Sequence, residues 1–300
     1  QGFAQKGMQS GILGAVMNIV LDPLFIFGLK MGVKGAAIAT VLSQLCSCLF
    51  VLHFLFGPAP QVGISFGGYR PWLMGRILLT GLTPFLIIAV DNLMIIVLNA
   101  LLQSYGGESQ GDLLVAAATI SQSFMLVVTM PLGGMTGGTA SILGYNLGAG
   151  QPKRILEAQK YILIIAVAYT GVLCLVGQLF AAPFTRIFTP DVQVSALAVT
   201  AIRITSMGIV PLGVQYVIVD GLTGMGMMRY SLPLSAFRKL VYFVAIFILP
   251  AAFGAMAIFF AEPISDLIPP VVTVLFYWRK IPWLKRQALL HGQPEKTTQA

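Results

Sequence analysis

Charged residues are scarce in this sequence, and their scarcity decides its class. Only 9% of the 300 residues are Asp, Glu, Lys or Arg, whereas 57% are hydrophobic, and the mean hydropathy is +0.87. A soluble domain carries about 25% charged residues, so a soluble globular fold is excluded. The apolar runs last about 20 residues without strict alternation of apolar and polar positions, which favours membrane-spanning helices over a β-barrel.

Residues that support catalysis or metal binding are also few. The three cysteines lie inside apolar runs and are expected to be small buried thiols, and the two histidines are isolated from each other. The sequence contains no phosphate loop and no recognisable nucleophile–base set. We therefore expect a protein that is not an enzyme and has no cofactor or structural metal. Its net charge of +8 is expected to set the membrane topology rather than to bind nucleic acid.

Eight apolar stretches are long enough to cross a bilayer. They fall near residues 8–28, 34–56, 75–102, 113–138, 159–180, 192–219, 231–252 and 257–279. A polar connection rich in Gly and Pro separates the first two stretches from the last six, and a basic tail follows the eighth. The sequence therefore predicts an all-α membrane protein with about eight transmembrane helices.

Basic residues in the connections predict the orientation of the helices. Most of them fall on one side of the predicted membrane, as Lys153 and Arg154 do, together with the basic tail. The other side holds few basic residues, among them Lys30 and Arg186, and several acidic ones. The positive-inside rule places the richer side in the cytoplasm. We expect a multi-pass protein of the cell membrane whose C-terminus is cytoplasmic.

Two connections resemble each other and indicate an internal repeat. FGLKMGVKGAAIATVLSQ joins spans one and two, and AAFGAMAIFFAEPISDLI joins spans seven and eight. If these are equivalent, the first two spans correspond to the last two helices of a six-helix unit, and four helices are expected upstream of Gln1. The predicted organisation is the last two helices of an N-lobe at 1–56, a cytoplasmic inter-lobe linker at 57–72, a six-helix C-lobe at 73–279 and a cytoplasmic basic tail at 280–300.

Asp22 lies inside the apolar run of span one and is followed by Pro23. An ionised Asp in hydrocarbon costs roughly 2.5–3.5 kcal/mol on insertion scales. Asn18 lies one helical turn earlier on the same face, and Thr40 is expected at a similar depth on the antiparallel second span. These groups could take up and release a proton or hold Na⁺. The alternative is a structural polar cluster that links the two helices.

Three stretches together carry a resemblance to a known family. NIVLDPLFIF with GVKGAAIATVLSQ, then MPLGGMTGGTASILGYNLGAGQPKR, then AEPISDL resemble a bacterial multidrug and toxic compound extrusion (MATE) transporter. The resemblance implies two six-helix lobes with pseudo-twofold symmetry, of which this chain is similar to helices five to twelve only. In that family Asn, Asp and Thr on the fifth and sixth helices belong to a cation-binding network, and Asn18, Asp22 and Thr40 match them. The network's other key acid lies on the first helix, which is absent from this sequence.

A second group of polar residues is predicted to line a substrate cavity in the C-lobe, and comprises Asp91, Tyr216, Asp220, Glu262 and Asp266. Asp91 lies well inside span three, where pairing with a neighbouring helix is the alternative. Asp220 lies nearer a helix end, close to Arg229, so we interpret it as an ion-pairing residue. Glu262 and Asp266 share one face of span eight, with Glu262 expected near the outer interface.

Small residues dominate the stretch PLGGMTGGTASILGYNLGAGQPKR in span four. Gly134 and Gly138 are spaced as GxxxG, a pattern that lets helices approach closely. We expect this stretch to pack against other helices rather than to bind phosphate, because no Gly-Lys-Ser/Thr sequence is present.

The residues and the resemblance together predict a secondary active antiporter that works by alternating access. It would act as a monomer in the bilayer and export organic cations or drugs in exchange for H⁺ or Na⁺. Two alternatives stay open, namely a flippase for lipid-linked saccharides from the same superfamily and an inactive fragment. A groove lined by Arg and Lys would mark the flippase, whereas the charges expected near mid-membrane in this sequence are mostly acidic.

Overall fold

The computed structural model describes the backbone of residues 3–58, 60, 67–68 and 70–291. Residues 59, 61–66 and 69 of the predicted linker and residues 292–300 of the predicted tail lie outside the described residues. Every regular element of the described part is helical, which confirms the predicted fold class.

Nine α-helices account for nearly all of the described chain. They are α1 (Ala4–Pro23), α2 (Gly32–Leu55), α3 (Pro71–Gly148), α4 (Pro152–Leu179), α5 (Ala181–Phe188), α6 (Val192–Ser206), α7 (Ile209–Gly224), α8 (Met228–Phe253) and α9 (Ala261–His291). A π-helical turn, Leu24–Gly28, extends α1, and a 3₁₀ segment, Ala255–Phe260, precedes α9. Seven helical spans of the described part are long and apolar enough to cross a membrane, and α6 with α7 makes an eighth. The eight predicted spans are therefore confirmed.

Helix α3 contains two of the predicted spans, which meet at Gly107. The backbone there has φ 63° and ψ −169°, a conformation that glycine adopts much more readily than other residues. Gln103 Nε2 donates a hydrogen bond to Asp112 Oδ1 at 2.9 Å. This contact joins residues on either side of Gly107 and shows that the chain folds back at this point. The two arms of α3 thus form a helical hairpin.

Helices α6 and α7 form one span that is broken by a bend of 50°. The bend lies just before Pro211, and a proline favours a kink because it removes a hydrogen bond of its own helix. At the break, a Cβ atom on Gly208 would lie 2.7 Å from Cβ of Asp266 and 3.1 Å from Cα of Pro263. Only glycine therefore lets α9 approach the bend this closely.

The chain divides into two compact units, Gln1–Thr83 and Pro84–Ala300, called unit 1 and unit 2 below. In unit 1, α1 and α2 pack as an antiparallel pair through small side chains. Gly35, Ala39 and Ser43 form the buried stripe of α2, and a Cβ atom on Gly35 would lie 2.8 Å from the backbone of Phe25. Toward the other end of the pair, Ser47 Oγ donates a hydrogen bond to the carbonyl oxygen of Ser10 at 2.8 Å.

Unit 2 is held together by buried apolar side chains at the contacts between its helices. One cluster joins Leu98, Leu102 and Leu114 of the α3 hairpin to Ile246 of α8 and Ile258 of the 3₁₀ segment. Outside these clusters most large apolar side chains are exposed, as expected for helices whose outer faces contact lipid.

The stretch that contains Gly134 and Gly138 packs closely against another helix of unit 2 as predicted, but not at these two glycines. A Cβ atom on either glycine would meet nothing within 4 Å. The close helix crossing lies one to two turns further along α3, where a Cβ atom on Gly224 would lie 2.5 Å from Cβ of Ala140, and one on Gly144 would lie 2.6 Å from the oxygen of Gly224. GxxxG spacing alone does not specify which side of the helix faces a neighbour.

Candidate functional site

A cavity of about 350 Å³ lies within unit 2, near the lower limit of the size range of small-molecule sites. Its wall is formed by both arms of α3, by α6, α8 and α9, and by the 3₁₀ segment. Most of the lining is apolar, with Met94, Leu98, Met125 and Phe259 among its members. Methionine and aromatic side chains of this kind adapt to ligands of different shape. The charged members of the lining are Asp91, Arg238, Lys239 and Glu262.

Two consecutive cations on α8 form ion pairs with acids on different helices. Arg238 Nε lies 2.8 Å from Oδ1 of Asp266 on α9, and the two side chains are 26% and 0% exposed. Lys239 Nζ lies 2.7 Å from Oδ1 of Asp91 on α3, with side-chain exposures of 17% and 52%. Helix α8 is therefore joined by ion pairs to two other helices, α9 and α3.

Glu262 is the acid of the cavity wall that has no partner within the described residues. Its carboxylate makes no hydrogen bond or ion pair there, although its backbone oxygen accepts one from Ser265 Oγ at 2.8 Å. Burial of a charge is expensive unless the charge is paired. The carboxylate is therefore available to a ligand that enters the cavity, either a cation or a proton.

The charged groups lie deep inside their helices rather than at the ends. Asp91 is about 16 residues, or about 24 Å at 1.5 Å per residue, from the turn at Gly107. Arg238 is at the same distance from the end of α8 at Gly254, where the chain turns with φ 86°. The two ion pairs are therefore at a similar depth, well within the helical bundle.

Asp220 lies outside the lining of this cavity. Its Oδ2 atom accepts a hydrogen bond from Thr136 Oγ1 at 2.6 Å, which joins α7 to the second arm of α3. The predicted ion pairing of Asp220 is not found within the described residues, and the guanidinium of the nearby Arg229 lies over the ring of Tyr230 at 5.4 Å. Tyr216, one turn before Asp220, packs at the edge of the apolar clusters.

In unit 1, Asn18 and Asp22 share one face of α1 as predicted. Asn18 Nδ2 and Asp22 Oδ1 are both buried and have no hydrogen-bond partner within the described residues. Thr40 Oγ1 instead donates to the carbonyl oxygen of Ala36 at 2.9 Å, so no hydrogen bond joins the three residues here. Pro23 is followed by the π-helical turn Leu24–Gly28, an irregularity that is frequent at functional sites. The ion-coupling role of the three residues stays a prediction.

The predicted C-lobe residues thus separate into two groups. Asp91 and Glu262 line the cavity. Asp266 is not part of the lining but forms an ion pair with Arg238, which is. Tyr216 and Asp220 belong to the neighbouring region of α7. Glu262, expected near the outer interface, is part of the cavity wall, and its depth in the membrane stays a prediction.

Sequence reasoning missed Arg238 and Lys239, the two cations of the site. A signal was present, since the dipeptide interrupts the apolar run 231–252 about seven residues from its start. Gln122, also in the cavity wall, and the hydroxyl pair of Ser121 and Thr205 at 3.2 Å were missed as well. Among the residues that the structure describes, no group of three or more His, Cys, Asp or Glu is arranged to hold a metal ion.

The fold and the sequence are similar to those of known proteins. Residues 88–248, more than half of the chain, match the model of the MatE family. The chain belongs to the MatE family. The resemblance to MATE transporters inferred from the sequence motifs is therefore confirmed, and the chain is classed with membrane transporters, as predicted, and not with enzymes.

Individual MatE relatives match the chain over most of its length. The multidrug export protein MepA of Staphylococcus haemolyticus is 24% identical over 264 residues, which make up 86% of this chain and 56% of that protein. MepA of a Staphylococcus aureus strain is 23% identical over 276 residues, 89% of this chain and 59% of that protein. The outward-facing structure of a multidrug resistance MATE family transporter has a TM-score of 0.82 and 27% identity, and the match covers 95% of this chain and 64% of that one. The chain therefore spans less than two thirds of the length of these MatE proteins.

Proposed function

We propose that this chain is part of a secondary active antiporter that exports organic cations in exchange for H⁺ or Na⁺. The observation that carries the proposal is the cavity of unit 2, where the unpartnered carboxylate of Glu262 faces a mostly apolar space. An amphipathic cation would gain both burial of its apolar body and a charge partner in such a space. The names of the MepA relatives, which are multidrug export proteins, support the same class of substrate.

The coupling step that we propose is competition for carboxylates. A carboxylate that binds H⁺ or Na⁺ cannot at the same time neutralise the charge of the substrate, so uptake of one favours release of the other. Asp22 with Asn18 and Thr40 in unit 1 would bind the coupling ion, and their unpartnered atoms support this role. Alternating access between two lobes would carry the substrate across the membrane, with residues 1–56 in one lobe and 73–279 in the other. Tyr216 and Asp220 are retained as weaker candidates for contact with the substrate.

The proposed setting is a single copy in the cell membrane with a cytoplasmic C-terminus. The excess of basic residues in one set of connections supports this orientation. The flippase alternative is disfavoured because the cavity volume suits a drug-sized molecule rather than a lipid-linked saccharide.

A binding measurement tests the proposal. The full chain is purified in lipid nanodiscs and titrated into rhodamine B ethyl ester, a permanent monocation, while fluorescence anisotropy is recorded. Glu262→Gln is expected to weaken binding by about tenfold or more, because a charge-assisted contact is lost. Glu157→Gln, the same change at an exposed position of α4, serves as the matched control and should bind as the unmodified chain does. Equal affinity in both variants would refute the role of Glu262, and an absence of dye binding by the unmodified chain would refute the proposed function.

A further inference from the structure

The cavity of unit 2 contains a potential anion-binding group as well as the unpartnered acid. We infer that its preferred ligands are amphipathic zwitterions, with the cationic group on Glu262 and the anionic group on the terminal nitrogens of Arg238. This inference rests on the proposed function and narrows its substrate class.

The first observation is the geometry of the buried ion pair. A guanidinium carries five N–H donors, and Arg238 is joined to Asp266 through Nε alone. The second carboxylate oxygen, Asp266 Oδ2, is buried without a partner within the described residues. The pair is therefore not bidentate, and within the described residues no hydrogen bond is found for the N–H groups on Nη1 and Nη2. Because Arg238 lines the cavity, these donors can be reached by a ligand.

The second observation is the balance of charge in the wall. Arg238 and Lys239 lie opposite three carboxylates, those of Asp91, Glu262 and Asp266, so the group carries one net negative charge when every member is ionised. A simple anion would be repelled by this net negative charge and by the unpartnered carboxylate of Glu262. A simple cation would leave the remaining donors of Arg238 to water. A ligand that carries one cationic and one anionic group would find a partner for each, Glu262 for the cation and Arg238 for the anion.

The third observation distinguishes the two cations from each other. Lys239 is held by Asp91 at 2.7 Å, and that acid is half exposed. Arg238 is held through Nε by the fully buried Asp266, which tethers one edge of the guanidinium. A fixed guanidinium binds a carboxylate through two parallel hydrogen bonds, whereas an ammonium acts as a point charge. We therefore assign the anionic group of the ligand to Arg238.

The test uses two dyes that differ in one ester. Rhodamine B is a zwitterion at neutral pH, and its ethyl ester is a monocation with the same ring system. Both are titrated by fluorescence anisotropy into the full chain in lipid nanodiscs. The unmodified chain is expected to bind rhodamine B about tenfold or more tightly than the ester, because one dye makes an additional charge-assisted contact.

Two charge-neutral double variants identify the group that binds the carboxylate. Arg238→Gln with Asp266→Asn removes the buried pair and leaves the net charge unchanged, and it should abolish the preference for rhodamine B while the ester binds as before. Lys239→Gln with Asp91→Asn removes the more exposed pair in the same way and should preserve the preference. Circular dichroism and size-exclusion profiles verify that both variants are folded, and Arg238→Lys, which leaves Asp266 paired, provides a second variant with an expected intermediate preference.

The outcomes separate the inference from the proposed function. If the unmodified chain binds the ester as tightly as rhodamine B, the inference is wrong and the proposed function stands. If both double variants lower the preference equally, the assignment to Arg238 is wrong. If a folded buried-pair variant weakens both dyes equally, Arg238 has a structural role only. If neither dye binds the unmodified chain, the proposed function fails and the inference fails with it.

Discussion

The ion pairs of Arg238 and Lys239 should contribute very different amounts to the free energy of unfolding. The reason is that Asp266, the partner of Arg238, is buried, whereas Asp91, the partner of Lys239, is half exposed. Asp266→Asn removes the negative charge that compensates Arg238, in a pair whose acid is 0% exposed. Breaking a buried pair in this way costs roughly 3–5 kcal/mol. At about 2–4 °C per kcal/mol, the melting temperature of the protein should fall by roughly 6–20 °C. Asp91→Asn breaks the neighbouring pair, whose acid is 52% exposed, and should cost less because a half-exposed acid has lost less solvation and leaves a less buried charge unpaired.

The experiment is a double-mutant cycle measured by intrinsic fluorescence during heating in one detergent. The variants are Asp266→Asn, Arg238→Gln, the two together, and Asp91→Asn as the exposed control. Replacing both members of a buried pair by neutral residues is often close to neutral for stability, so the double variant should recover most of the loss. If Asp91→Asn lowered the melting temperature as much as Asp266→Asn, or if the double variant were no more stable than Asp266→Asn, the argument from burial would be refuted.

Three further predictions concern other parts of the chain. Gly224→Val should destabilise the protein by about 1–3 kcal/mol because its side chain would overlap Ala140. The control Gly134→Ala should be neutral or slightly stabilising. Equal melting temperatures of these two variants would contradict the prediction. Thr136→Val should lower the melting temperature because Asp220 Oδ2 loses its donor at 2.6 Å, at a cost of about 1–3 kcal/mol, and an unchanged value would be the contrary result. In the full-length protein, Asp22→Asn should abolish drug resistance in a growth assay while membrane expression persists, and unchanged resistance would exclude the coupling role.

The spans could be predicted from the sequence because length and hydropathy act along the chain. A run of about 20 apolar residues forms a helix in a membrane whatever surrounds it. The bend before Pro211 could be predicted for the same reason, since proline removes a hydrogen bond from its own helix. Such features need no knowledge of the neighbouring helices.

The partners of the polar residues could not be predicted, because they depend on the rotation of each helix about its axis. Counting residues gives the depth of Asp220, but it does not reveal that the side chain faces Thr136 rather than Arg229. In the same way, Thr40 bonds to the backbone of its own helix. Rotation is set by packing against other helices, which a single sequence does not contain.

The charges inside the spans were only partly predicted. Each acid was recognised as unusual in an apolar run, whereas Arg238 and Lys239 were missed although they follow the same rule. Their pairing with Asp266 and Asp91 depends on the relative positions of three helices, α8, α9 and α3. No single sequence motif specifies these positions.

A small change in the bend angle at Gly208 would move the far end of α7 over a larger distance. Asp220 lies about 11 residues beyond Ile209, which at 1.5 Å per residue places it about 17 Å along the arm. A change of about 10° at the bend would therefore displace Asp220 by about 3 Å, which is more than the 2.6 Å length of its hydrogen bond to Thr136. Because Gly208 at the bend lies against Asp266, a small motion beside the buried ion pair would break a contact about three helical turns away.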